Sequence, residues 1–282
     1  EGEVFMGEYQ GEMVVLKKIS LVGVTRKKRD KMMKDFATEL AIMVKLRSPR
    51  IIQVFGVVTT DTTFLGLVME YCAGGSLRAA LDDESGKVTA DLQHVWSLDV
   101  ALGMAYLYSQ GVEHRDLKSA NVLLTQERRA KVADFGLSKC EDLRTQLPQP
   151  SQGRDAKGTS AYMAPELLKD NVFSEKSDVY SFAMVMWEIW DRGVPWGGLR
   201  TEQIITQVLV ERARPKIPEM QRDLRDLMVR AWAHDAAERP TFEELAAKLK
   251  VSKIDLSKLA LVRTLEGHSH WVRRAASAVL LR

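Results

Sequence analysis

The chain has 282 residues, 45% hydrophobic and 28% charged, an ordinary globular composition with room for one large domain or two lobes. A net charge of +3 is too small to argue for nucleic acid or a membrane surface as a partner. Two cysteines, Cys72 and Cys140, make no disulfide framework and suit a reducing, cytoplasmic setting.

In chain order, Val14-Val15-Leu16, Ile51-Ile52-Gln53-Val54-Phe55 and Gly66-Leu67-Val68-Met69 read as strands. Between the first two, Met33, Phe36, Leu40 and Met43 recur at helical steps and predict one buried face on a helix over 27–46. The character changes after Gly74-Gly75. Leu92, Trp96, Leu98, Met104 and Leu107 predict a long helix ending at Gln110-Gly111. Ser177 to Asp191 is apolar almost all round, the pattern of a central buried helix. Helices over Leu224–Trp232 and Phe242–Leu249 follow. Phe182 to Trp190, the best apolar run, carries Glu188 and is shorter than the ~18–20 residues of a span, so no membrane insertion is expected. Strands first and helices later predict two lobes with the break near 70–76, where a cleft site would form. The first residue falls inside a motif with no initiating Met, so a fragment of a longer chain is expected.

Chemistry concentrates in His114-Arg115-Asp116-Leu117-Lys118-Ser119-Ala120-Asn121, followed by Asp134-Phe135-Gly136 and Ala164-Pro165-Glu166. A carboxylate to take a hydroxyl proton, a cation for a phosphate and oxygen ligands for a hard metal appear in fixed order, as phosphoryl transfer requires. The three blocks together resemble the catalytic loop, magnesium loop and activation-segment end of a eukaryotic-type protein kinase. The resemblance covers about residues 1–251 and implies a bilobal α+β fold: a small, mainly antiparallel β lobe with one helix (1–71) and a large, mainly α lobe (72–251).

It also implies ATP and Mg2+ as cofactors. Gly2-Glu3-Val4-Phe5-Met6-Gly7, then Val14-Val15-Leu16-Lys17, resembles the end of the glycine-rich loop and the strand with the phosphate-binding lysine; only the last glycine of the pattern is present. Gly2 would let backbone amides approach phosphate, Val4 would pack on adenine, and Lys17 would hold the α/β-phosphates. Lys18 points to the opposite face of a strand and is expected to be a solvated charge. Glu39, the one glutamate between Met13 and Met69, is the candidate to hold Lys17. Met69 would guard the back of the adenine pocket, Glu70, Tyr71 and Cys72 would form the connecting segment, and Val15 and Leu123 would sandwich the base.

By the same resemblance Asp116 is the base, Lys118 neutralises the γ-phosphate, and Asn121 and Asp134 supply oxygen to magnesium. Gly136 would permit the turn that aims Asp134. Lys118 after Asp-Leu, with Thr159 placed to bridge Asp116 and Lys118, implies serine/threonine specificity and protein substrates. Asp178-Val179-Tyr180-Ser181-Phe182, Met186-Trp187-Glu188 and Gly193-Val194-Pro195-Trp196 lean towards the tyrosine kinase-like group. Glu113 departs from the family, which places an apolar residue before His114; a carboxylate there needs a partner or solvent. Thr145, Ser151, Thr159 and Ser160 are candidate phosphoacceptors with Arg115 as the pairing cation. Glu166 and Arg239 are expected as a buried ion pair, with Asp178 anchoring the catalytic loop.

After a linker (252–263), Thr264-Leu265-Glu266-Gly267-His268-Ser269-His270-Trp271-Val272 resembles the opening of a WD repeat, implying protein partners through residues 264–282. An amphipathic or disordered tail with an incidental Gly-His pair is the alternative. For the whole chain the alternatives to an active serine/threonine kinase are a kinase-fold scaffold, a dual-specificity kinase, and an interaction protein whose kinase regulates a propeller.

Overall fold

Residues 3–59, 63–85, 87–135 and 160–252 are described by a computed structural model, except for the side chains of residues 27, 28, 30–32, 34, 35, 38 and 39. The first lobe is a four-stranded antiparallel sheet, β1 (Val4–Tyr9), β2 (Glu12–Ser20), β3 (Val54–Val58) and β4 (Phe64–Glu70), in the order β1-β2-β4-β3. The β1–β2 turn uses Gln10 and Gly11, both at positive φ (55° and 84°), the twist that matches a two-residue hairpin. Helix α1 (Arg26–Met43) buries Phe36 and Met43 and half-buries Met33 and Leu40, the face its periodicity predicts.

Two details of this lobe differ from the sequence reading. The strand expected at 51–55 begins only at Val54, because Ile51 bridges Val132 and Ile52 N donates to Val132 O at 2.8 Å. Residues 51–53 therefore stitch the sheet to the large lobe instead of lengthening a strand. Lys18 is not simply solvated: its Nζ lies 4.3 Å from the Phe5 ring centroid and 4.5 Å from that of Phe64. The stem packs between two rings that attract the ammonium, a better site for it than open water beside an aromatic face.

The large lobe holds α2 (Leu77–Asp82), α3 (Ala90–Ser109), a 3-10 turn (Ser119–Asn121), the hairpin β5 (Val122–Leu124) and β6 (Ala130–Val132), then α4 (Pro165–Asp170), α5 (Glu175–Asp191), α6 (Thr201–Leu209), α7 (Arg222–Ala231) and α8 (Phe242–Ser252). Every residue of α5 from Ser177 to Ile189 is buried, which is why its sequence shows no polar face. Helix α3 starts at Thr89, whose hydroxyl accepts from Leu92 N, and ends at Gln110 with Gly111 at φ 70°. Gly103 brings α3 against the chain entering the large lobe: a Cβ there would meet Arg50 O at 2.5 Å. On the same helix, fully buried Asp99 accepts from Arg129 Nε at 2.7 Å and from Ala130 N at 3.2 Å, and its Oδ1 lies 2.6 Å from Arg50 Nε. Helices α2, α4 and α6 and the β5–β6 hairpin were not legible as periodicity, being only three to nine residues long. No helix among the described residues is long and apolar enough to cross a membrane.

Candidate active site

The sheet and the large lobe meet where β4 ends. Gly74 N donates to Leu124 O at 2.9 Å and Leu124 N to Gly75 O at 2.8 Å, so the connecting segment lies on β5. A Cβ at Gly74 would fall 2.8 Å from Leu124 O, so only glycine permits this approach. Met69 is buried opposite Val15 in the β2–β4 register, and Val15 and Leu123 are half-buried. Val4 is exposed on β1, paired with Lys17 across the ladder.

Glu70 does more than its place in the connector suggests. Its carboxylate takes two bonds from Lys131 Nζ, at 2.7 and 2.8 Å, and one from Gln53 N at 2.8 Å. The small lobe is thus clamped to β6. Nothing in the sequence marked Lys131, which is 61 residues away along the chain. Cys72 is nearly buried, and burial, with the neighbouring Glu70 charge, pushes its thiol from an ordinary 9.0 up to about 11. Two pH units cut the thiolate about 100-fold. Alkylation by iodoacetamide at pH 8, followed on the Cys72 peptide by mass spectrometry, should lag an unfolded control by about that factor, and rise towards the control as pH approaches 11. Equal rates at pH 8 would show that this segment opens readily.

The expected catalytic residues converge from three directions. Asp178, rising from the buried α5, accepts from His114 N at 2.9 Å, Arg115 N at 3.0 Å and Tyr108 OH at 2.7 Å. Burial pushes its carboxyl above the usual carboxylate range, while the bonds from Tyr108 and from the His114 and Arg115 amides work against that rise. His114 is fully buried; its Nε2 lies 2.9 Å from the carbonyl of Ala133, and its Nδ1 accepts from Asp116 N at 3.3 Å. A carbonyl can only accept, so the ring donates from Nε2 and ties the loop before Asp116 to the one before Asp134. Arg115 and Asp134 both sit at positive φ (67° and 58°), strained backbone that the surrounding bonds hold.

In front of this anchor, Asp116 Oδ2 receives Asn121 Nδ2 at 3.0 Å and Lys118 Nζ at 3.0 Å. Asn121 Nδ2 also donates to Asp116 O at 2.8 Å, which turns the amide nitrogen towards the loop. Ala133 N bonds Asn121 O at 2.9 Å, setting Asp134 beside Asn121. From the opposite lobe, Lys17 Nζ reaches Asp134 Oδ1 at 2.7 Å. An amide oxygen and a carboxylate brought together beside two lysines suit a hard divalent cation and the phosphates it bridges, since Mg2+ takes one or two protein oxygens and keeps the rest for phosphate and water. Asp116, Lys118, Asn121, Asp134 and Lys17 thus form one cluster. Gly2, Gly136, Thr145, Ser151, Thr159, Cys140 and the side chain of Glu39 lie outside the described residues, as does the tail from 253 onward.

Glu113, the residue out of family pattern, finds a partner. Its Oε2 takes Arg115 Nε at 2.9 Å and Arg115 Nη2 at 2.8 Å, and the guanidinium lies 5.0 Å from the Phe173 ring centroid. The cation expected to pair with a phosphorylated side chain is therefore already neutralised by a neighbour two residues away. Ser160, one candidate acceptor, is buried, with its Oγ 3.4 Å from Thr201 Oγ1, so it is a poor target for an external enzyme. Further out, Arg239 Nη1 and Nη2 meet Glu166 Oε1 and Oε2 at 2.7 and 2.8 Å.

Residues 1–249 match the family model described as protein tyrosine and serine/threonine kinase. The chain belongs to that family. Its two-lobed α+β architecture is that of a protein kinase domain. It is 36% identical over 255 residues to a probable serine/threonine-protein kinase, drkC, of Dictyostelium discoideum, covering 88% of this chain and 33% of the relative. It is 34% identical over 252 residues to the serine/threonine/tyrosine-protein kinase HT1 of Arabidopsis thaliana, covering 88% of this chain and 62% of the relative. It is 33% identical over 257 residues to mitogen-activated protein kinase kinase kinase 13-B of Xenopus laevis, covering 91% of this chain and 25% of the relative. The kinase domain thus spans less than two-thirds of the length of each of these relatives, and the family match stops short of residues 264–282.

Proposed function

We propose that residues 1–251 are the catalytic domain of a serine/threonine protein kinase of the tyrosine kinase-like group, acting on protein hydroxyls in cytoplasmic signalling. The observation that carries this is the convergence of Lys118 and Asn121 on the Asp116 carboxylate, with Lys17 spanning the cleft to Asp134. Mg-ATP supplies the transferable phosphoryl group and the cation that neutralises its oxygens, held by Asn121 and Asp134. Val15, Leu123 and Met69 would enclose the adenine and the Glu70–Cys72 backbone would bond its edge, with Val4, and Gly2 by the resemblance, covering it from the glycine-rich loop. Lys17 would hold the α/β-phosphates, with Glu39 the residue that the family resemblance offers to orient it. Asp116 orients the acceptor hydroxyl and takes its proton, while Lys118 neutralises the γ-phosphate as charge shifts in the transition state.

The test is transfer from Mg-ATP to myelin basic protein, with the phosphoamino acids identified. Phosphoserine or phosphothreonine is expected, and Lys17→Met should lower kcat/KM at least about 100-fold, because it removes the cation proposed to hold the α/β-phosphates. Transfer unchanged by Lys17→Met would remove Lys17 from the site. Phosphotyrosine alone would overturn the acceptor assignment. A mixture would favour the dual-specificity reading, to which the Arabidopsis relative, a serine/threonine/tyrosine-protein kinase by name, lends support. For residues 264–282, after a 252–263 linker, the Gly267-His268 pair supports a role as the start of a WD-repeat region that takes protein partners.

A further inference from the structure

Glu188 is a charge in the wrong place for its helix. It sits in the last turn of α5, fully buried beside Trp187, Ile189 and Met186, where an unpaired carboxylate would be strongly destabilising. Three donors answer it. Arg78 Nη1 lies 2.8 Å from Oε1, Ser119 Oγ 2.9 Å from Oε1, and Tyr162 OH 2.8 Å from Oε2. Burial pushes the Glu188 carboxyl above the usual range, and the bonds from Tyr162, Arg78 and Ser119 pull it back. Burial also works against the Arg78 charge, but its bonds to Asp82 and Glu188 outweigh that and hold its pKa above the usual value.

The donors come from separate parts of the acceptor side. Ser119 follows Lys118 and opens the 3-10 turn that ends at Asn121. Tyr162 lies two residues before Ala164, in the segment entering α4, and its carbonyl accepts from Ser181 Oγ at 2.8 Å. Arg78 is on α2, and besides Glu188 it bonds the carbonyls of Gly193 and Arg192, both at 2.8 Å. Nη2 and Nε complete the set on Asp82, at 2.8 and 3.2 Å. One guanidinium thereby fixes α2, the turn after α5 and, through one carboxylate, both the catalytic loop and the segment ahead of α4. None of these bonds runs to the sheet or to the connecting segment.

We propose that Arg78 is a positioning residue for the protein acceptor: acting through Glu188, it sets Ser119 and Tyr162, and so the loop and segment between which the acceptor chain lies, without touching the nucleotide side. This rests on the kinase reading above. Removing the guanidinium leaves Glu188 buried beside two hydroxyls, neither of which supplies charge. The carboxylate must then take up a proton or pull in water, and either change disturbs the bond to Ser119 or the one to Tyr162. A displacement of about an ångström in a loop that aims the acceptor is enough for a large loss in rate.

The test is steady-state kinetics of the full 282-residue chain with Mg-ATP and myelin basic protein, beside calorimetric titration with Mg-ADP and hydrogen exchange. Arg78→Leu should raise KM for the protein acceptor about tenfold or more, with the Mg-ADP dissociation constant within about twofold of wild type. Exchange should speed up in residues 117–121 and 160–164 and stay unchanged across β1 to β4. Arg78→Lys, which keeps a charge for Glu188 but not the planar fork that reaches the two carbonyls, should recover part of the loss. Should Arg78→Leu not fold, Ser119→Ala removes a single hydroxyl from the same network and carries the same comparison. Acceptor and nucleotide constants that worsen together would overturn the proposal, as would a lower melting temperature with an unchanged acceptor KM. If the wild-type chain transfers no phosphate, the kinase reading fails on that result alone, and the exchange pattern still decides the network: no acceleration at 117–121 and 160–164 would overturn it.

Discussion

Asp116→Asn should lower phosphoryl transfer to a protein hydroxyl by about 10²–10⁴-fold, the usual contribution of a positioned general base. The substitution is nearly isosteric, so the geometry around it should survive. Asn121 Nδ2 also bonds Asp116 O, and the loop is held from behind by Asp178 through the amides of His114 and Arg115. What changes is charge and acceptor capacity. A neutral amide has no carboxylate to take the hydroxyl proton, and the Lys118 ammonium, now 3.0 Å from Oδ2, loses its counter-charge. The effect should appear in kcat and kcat/KM alike, since the interaction is made only as the proton moves. Nucleotide affinity should stay within a few-fold, because Lys17, Asp134 and the connecting segment are untouched. A titration showing Mg-ADP binding intact while transfer persists at more than about a tenth of the wild-type rate would remove Asp116 from the role of base.

Much of this site was legible before the structure because phosphoryl transfer confines its groups to short stretches. Asp116, Lys118 and Asn121 share six residues, and Asp134 follows at the end of a short hairpin. Short chain separations place them near one another, and Asp178 of α5 then fixes the loop. The long helices were legible for a similar reason: α3 and α5 run for 20 and 17 residues, long enough for a burial pattern to repeat. What stayed hidden depends on contacts far apart in sequence. Lys131 meets Glu70 across 61 positions and Arg78 meets Glu188 across 110, and neither pairing leaves a mark on local composition. Glu188 did give one signal, the single charge in the otherwise apolar stretch from Phe182 to Trp190, but the sequence could not say which cation answers it. The Ile51–Phe55 run misled because β-branched residues signal burial in an extended chain, not membership of a particular sheet; Ile51 and Ile52 pair with Val132 of the other lobe.

Arg239→Ala should destabilise the domain by about 3–5 kcal/mol, the cost of leaving one member of a buried ion pair without its partner. The side chain is fully buried, and all five of its N–H groups are used. Nε donates to Ala233 O at 2.8 Å. Nη1 serves Glu166 Oε1 and Lys176 O, both at 2.7 Å, and Nη2 serves Glu166 Oε2 at 2.8 Å and His234 O at 3.2 Å. Its plane also lies 5.2 Å from the Tyr180 ring centroid. Alanine strands three carbonyls and a carboxylate at once, and opens a void the size of the guanidinium beneath α4 and α5. At the usual 2–4 °C per kcal/mol for a domain of this size, the melting temperature should fall by about 6–20 °C. Glu166→Gln should cost less, because Glu166 is about one-fifth exposed and an amide still accepts one bond from the guanidinium. The double variant should therefore be less unstable than the sum of the two, since Arg239→Ala no longer leaves a carboxylate without its cation. Thermal unfolding of the four proteins gives the coupling directly. A drop of less than about 2 °C for Arg239→Ala would mean that water reaches this corner and replaces the lost donors, and α4 would then be held by its apolar contacts alone.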